Sequence, residues 1–142
     1  MTVKQPAKNA KTTARLATLA AMLPKASVVA DIGSDHGLLC AHLLLNGRCE
    51  KAIAVDVSPS AAKKAAQLAR SLGLEGRLIP RIGDGLAALK PGEADAAVIA
   101  GLGGRLIASI LAAAPNIAQS IPLVLQPMQQ IADLRRFLRE NG

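Results

Sequence analysis

Asp31, Gly33, Asp35 and Gly37 alternate through the segment Asp31-Ile32-Gly33-Ser34-Asp35-His36-Gly37, carboxylates interleaved with glycines as in a ligand-binding turn. Glycine at 33 and 37 admits backbone angles closed to other residues and lets a ligand approach the main chain. The amides that open a following helix add a polar cradle. Further along stand Asp56, then Gly83-Asp84-Gly85, then Gly101-Leu102-Gly103-Gly104. A carboxylate has two oxygens, enough to accept hydrogen bonds from the two neighbouring hydroxyls of a sugar. Acids at 31 and 35 would repel a pyrophosphate and suit a ligand that carries positive charge. Neither the G-x-G-x-x-G of a dinucleotide fold nor the G-x-x-x-x-G-K of a phosphate loop occurs.

The elements that must carry these residues follow from periodicity. Leu16, Leu19, Ala20 and Leu23 recur at helical spacing and end at Pro24, which predicts an amphipathic first helix. Val28 to Ile32 is an unbroken apolar run, as expected of a central parallel strand covered on both faces. A helix is predicted from Ser34 to Leu45, a second strand from Ala52 to Asp56, and a helix capped by Ser58 with Pro59 at its first position. Arg77 to Ile82 is the third strand. Pro80 cannot donate to a ladder, so that strand belongs on a sheet edge. A short helix over Leu86 to Leu89, a strand over Ala96 to Ala100, a helix over Arg105 to Ala114, a strand over Leu123 to Gln126 and a helix over Gln129 to Glu140 complete the chain. Such alternation predicts one α/β domain over 1–142, a Rossmann-like parallel sheet with helices on both faces. In such sheets the ligand lies beyond the carboxyl ends of the strands, where every unusual residue above falls.

Composition narrows the partners. The net charge is +7, from 17 basic and 10 acidic residues, which points to a polyanion such as a nucleic acid. Met1 to Lys11 contain three lysines and no acid and are expected to form a flexible basic arm rather than a targeting signal. Phe137 is the only aromatic residue, so no ring is available to stack a target base. Cys40 and Cys49 lack a second pair at metal-ligand spacing and read as reduced thiols, with no metal expected. His42 reads as an ordinary helix histidine. No apolar run is long enough to span a bilayer, so a cytoplasmic protein with no membrane partner is expected.

The donor set points to S-adenosylmethionine, which combines a sulfonium, an amino group and a nucleoside without phosphate. Asp56 is placed to accept from the ribose hydroxyls, Asp84 from the adenine amino group, and Asp31 and Asp35 to orient the methionine end.

The residues also carry a family resemblance. Val29 to His36 (V-A-D-I-G-S-D-H), Ala54 to Val57 (A-V-D-V), Arg81 to Leu86 (R-I-G-D-G-L), Ile99 to Gly104 (I-A-G-L-G-G) and Leu125 to Pro127 (L-Q-P) resemble motifs of the bacterial tRNA adenine-22 N1-methyltransferases, the TrmK family. Arg15-Leu16 matches an arginine-leucine pair in that family's first helix. The resemblance implies a class I methyltransferase fold with strand order 3-2-1-4-5-7-6, followed by a small helical domain. It implies methyl transfer from S-adenosylmethionine to N1 of an adenine in tRNA. Residues and resemblance together give the candidate cofactor set Arg15, Asp31, Gly33, Ser34, Asp35, His36, Gly37, Asp56, Val57, Gly83, Asp84, Gly85, Ala100 and Gly101, and Asp31 and His36 are the candidate catalytic residues, expected to line the target pocket.

The sequence departs from the family at Gly37-Leu38-Leu39-Cys40, where the family has a small residue, tyrosine, leucine and proline, and at Ser58-Pro59 in place of Gly-Pro. It stops at Asn141-Gly142, before the family's last strands and helical domain. The expectation is a fold truncated after strand five and its helix, or one whose strand-five edge is covered by another chain, including a second copy. Alternatives are a donor-binding core without turnover and a methyltransferase for a small molecule or protein.

Overall fold

The computed structural model describes residues 10–142. The elements run α1 (Ala10–Met22), β1 (Val28–Ile32), α2 (Leu38–Leu45), β2 (Lys51–Asp56), α3 (Pro59–Ser71), β3 (Leu78–Ile82), a 3₁₀ turn (Gly85–Ala88), β4 (Ala96–Leu102), α4 (Gly104–Ala113), α5 (Pro115–Ala118), β5 (Leu123–Pro127) and α6 (Ile131–Asn141). The expected basic arm lies outside the described residues up to position 9, and Ala10 and Lys11 already belong to α1.

The five strands form one sheet in the order β3-β2-β1-β4-β5, and every pairing is parallel. β3 is an edge strand, as Pro80 requires. β1 sits at the centre, with Asp31 opposite Ala54 of β2 and Val98 of β4.

Side chains alternate across each strand, and this sheet buries both faces. Val29, Ala52, Ala54, Ala96 and Val98 pack with Leu16, Leu19, Leu39 and Leu43 of α1 and α2. Ala30, Ile32, Ile53, Val55, Ala97 and Ile99 pack instead with Leu86, Ile107, Leu111 and Leu134. Each fully buried aliphatic side chain in these layers contributes about 1.5–3 kcal/mol. By the same alternation Asp31 shares the face of Val29, under α1, where an apolar residue would otherwise fit. It is the only buried charged residue among the described residues, at 6% exposure.

Two expected boundaries shift for local reasons. The helix predicted from Ser34 begins at Leu38, because Asp35 and Gly37 take left-handed backbone angles, φ 59° and 74°. Gly33 and Ser34 both donate their amides to the Val55 carbonyl, so 33–37 is a pinned turn rather than helix. β4 runs on through Gly101 (φ 77°), with a register irregularity against β5 between Ala100 and Leu102. Ser58 caps α3 as expected, its hydroxyl accepting from the Ala61 amide at 3.3 Å, with Pro59 following. α5 was not anticipated.

Candidate functional site

The carboxyl ends of β1, β2, β3 and β4 and one face of α1 enclose a cleft of about 570 Å³, within the range of small-molecule and cofactor sites. β1 delivers Asp31, Gly33, Ser34, Asp35 and His36 to it. β2 delivers Asp56 and Val57; β3 and its loop deliver Gly83, Asp84 and Gly85; β4 delivers Ala100 and Gly101; α1 delivers Arg15. Gly37, expected in the cofactor set, does not line the cleft. A Cβ at that position would meet the Ala65 side chain at 3.1 Å, so Gly37 serves the turn and the packing of α2 on α3. Gly103 and Gly104 also lie apart from the cleft. They are fitted against Gln129 and Gln130, and the Gly104 amide donates to the Gln129 carbonyl at 2.8 Å.

Asp56 organises the two loops beside it. Its Oδ2 accepts from the Asp35 amide and its Oδ1 from the Ser58 amide, both at 3.0 Å. A carboxylate has about four lone-pair sites, so two stay available to a ligand in the cleft. The exposed side chain of Asp35 pairs with His36 Nδ1 at 2.8 Å.

Among the described residues Asp31 has no such donor. Burial pushes its carboxyl up to about 7; Arg15 opposes the rise and the negative charge of Asp56 adds to it. The folded chain therefore holds a proton that the unfolded chain releases near the ordinary value of 3.8. Stability of the ligand-free chain falls as pH rises between those two values and levels off above the upper one. Asp31→Asn removes this dependence. The variant is expected to be more stable than the parent at pH 8, with the difference shrinking toward pH 4, as read by urea unfolding at both pH values.

Sequence reasoning missed the clamp behind Asp84. Arg81 Nη2 donates to Glu93 Oε2 at 2.8 Å, and Nη1 donates to Glu93 Oε1 and to the Ala88 carbonyl. The Lys90 amide donates to Glu93 Oε1 at 3.0 Å. This fork ties β3 to the far end of the loop that carries Asp84. The Arg81 hydrogen bonds, with that of Lys90, hold the Glu93 carboxyl down to about 2. Its contribution to stability is therefore full above the ordinary glutamate range and lost as pH falls toward 2. Glu93→Gln is expected to cost about 1–3 kcal/mol at pH 7. That difference should shrink as pH falls toward 2, checked by chemical denaturation. Arg81 was visible in R-I-G-D-G-L; Glu93, beyond the loop, carried no motif signal.

The apolar walls were also missed: Leu16 and Leu19 from α1, and Leu102, Leu106 and Ile110 from β4 and α4. They are ordinary core types at ordinary helical spacing. Cys40 and Cys49 are buried free thiols, and burial raises both above the usual range. Among the described residues no group of three or more metal-ligating side chains occurs, and no helix is long and apolar enough to cross a membrane.

A parallel α/β sheet with an acid-rich cleft at the carboxyl ends of its strands, and no phosphate loop, defines a methyltransferase-type domain. The chain belongs to the family described as "Methyltransferase domain", which matches residues 12–142. Among its relatives is the Bacillus subtilis (strain 168) tRNA (adenine(22)-N(1))-methyltransferase. The two are 40% identical over 129 residues, spanning 90% of this chain and 54% of that protein. Streptococcus pneumoniae Sp1610, solved in complex with S-adenosyl-L-methionine, superposes with a TM-score of 0.86 at 33% identity, over 91% of this chain and 61% of that one. M. capricolum TrmK, solved with S-adenosyl-homocysteine, gives 0.77 at 28% identity, over 87% and 55%. The chain thus spans little more than half the length of the relatives it matches.

Proposed function

We propose that this chain binds S-adenosylmethionine in the cleft and transfers its methyl group to N1 of an adenine in tRNA. One observation carries the donor assignment: Asp56 is held by two backbone amides with lone pairs to spare at the end of β2. That is an acceptor for two ribose hydroxyls. Asp84, exposed between two glycines, is an acceptor for the adenine amino group. Buried Asp31 favours a ligand ammonium, which would stabilise its charged form and offset the cost of burial. Repeated carboxylates disfavour a polyphosphate.

The bound donor supplies an electrophilic methyl on a sulfonium, a leaving group that needs no acid. What remains for the protein is proximity and alignment, which can be worth many kcal/mol in such displacements. The pinned 33–37 turn and the Arg81–Glu93 clamp hold two of the loops that line the cleft. Asp31 and His36, both lining the cleft, are the residues we assign to the target pocket, Asp31 in addition to its role toward the ammonium. The adenine and tRNA assignments are supported by the B. subtilis relative and by the net charge of +7. Exposed Arg135, Arg136 and Arg139 on α6 add basic surface. A tRNA substrate places the work in the cytoplasm.

The test is incubation of the chain with methyl-labelled donor and unmodified tRNA, beside the B. subtilis relative as positive control. Label in N1-methyladenine supports the reading. Donor binding with no labelled tRNA, while the control labels, would leave the chain a donor-binding module.

A further inference from the structure

Among the described residues that line the cleft, Arg15 is the only arginine or lysine. Its side chain is held from the far edge of the sheet: Arg15 Nε donates to Gln126 Oε1 of β5 at 2.8 Å, across 111 positions of sequence. The guanidinium lies over Gly101. A Cβ at position 101 would approach Arg15 Nη2 to 2.9 Å, and φ there is 77°, so only glycine leaves this space to the arginine. Asp31 lies near enough for the guanidinium to act on its carboxyl. The cleft is thus lined by both a carboxyl group and a guanidinium whose charges act on each other without a direct ion pair, the complement of an α-amino acid zwitterion.

We propose that Gln126 is a positioning residue that holds Arg15 over Gly101, where the guanidinium receives the carboxylate of the donor's amino-acid end while Asp31 receives its ammonium. This rests on the donor reading above. Gln126 acts through Arg15. An arginine on an exposed helix face samples many rotamers, and binding a carboxylate through a planar fork requires one of them. The hydrogen bond from β5 supplies that restriction before the ligand arrives.

The experiment compares two ligands by calorimetry. S-adenosylhomocysteine has the amino-acid end and 5′-methylthioadenosine lacks it. Both are titrated into the full chain, Gln126→Met, Arg15→Met and the double variant. Gln126→Met is expected to bind S-adenosylhomocysteine about tenfold more weakly, the effect of one lost hydrogen bond, and 5′-methylthioadenosine as the parent does. In the Arg15→Met background the Gln126 change is expected to cost nothing further. Gln126→Asn, too short to reach Arg15, is measured in parallel, so that a folding defect in one variant leaves the other to decide. Equal losses for the two ligands, no loss for either, or additive losses in the double variant would overturn the proposal. If the parent chain binds neither ligand, the donor reading itself falls, and the proposal with it.

Discussion

Asp56→Ala is expected to weaken binding of S-adenosylhomocysteine by about 100-fold, the equivalent of two charge-assisted hydrogen bonds. The substitution removes the acceptor proposed for the ribose hydroxyls. It also removes the partner of the Asp35 and Ser58 amides, each 3.0 Å from a carboxylate oxygen. The 33–37 turn then loses one of its ties to β2, and α3 loses a bond just before its cap. Asp56→Asn separates the two contributions. A carboxamide has one oxygen and an NH₂ group, so one of the two backbone amides faces a donor. Its loss should fall between parent and alanine. Calorimetric titration gives the affinities, and thermal unfolding of the ligand-free variants gives the structural share. An Asp56→Ala chain that binds as tightly as the parent would remove Asp56 from the donor site.

Gly104→Ala is expected to be the most destabilising of the glycine-to-alanine changes. The added Cβ would sit 2.2 Å from the Gln130 carbonyl oxygen and 3.1 Å from that of Gln129. Both are backbone atoms of the β5–α6 loop, so no flexible side chain can move aside. Gln130 is itself held in a left-handed conformation, φ 56°, and its Oε1 accepts from the Arg105 amide. α4 and α6 must therefore separate or the loop must rebuild. The cost is about 3 kcal/mol or more, which for a domain of this size lowers the melting temperature by about 10 °C. Differential scanning calorimetry reads it. Gly47→Ala serves as the control, because a Cβ there meets nothing within 4 Å and only the φ of 66° opposes it. A melting temperature within a few degrees of the parent would show that the two loops do not pack as described.

Much of the fold was legible because local signals agreed with the global arrangement. Val28 to Ile32 read as a central strand because it lacks polar alternation, and Pro80 placed β3 on an edge. The start of α2 differs from the sequence expectation because Ser34 has the character of a helix cap, while the left-handed angles of Asp35 and Gly37 delay the helix to Leu38. Nothing in sequence showed that the Val55 carbonyl takes the amides of both Gly33 and Ser34. Gly83, Gly101 and Gly104 looked alike as letters. In the structure Gly83 makes room for Ala88, Gly101 for Arg15 and Gly104 for the Gln130 backbone. Only contacts between distant segments make that distinction. Asp31, Asp56 and Asp84 were legible as a set because parallel strands bring their carboxyl ends to one side. Glu93 and the Arg15–Gln126 bond were not, since their meaning lies in partners that no spacing rule connects.

The cleft at the ends of β1 to β4 is proposed to hold a nucleoside joined to an amino acid rather than a pyrophosphate. Titration of the chain with S-adenosylhomocysteine and, separately, with NAD distinguishes the two. The expected result is saturable one-site binding of S-adenosylhomocysteine and no heat with NAD. Absence of S-adenosylhomocysteine binding at millimolar concentration, or saturable binding of NAD, would contradict it.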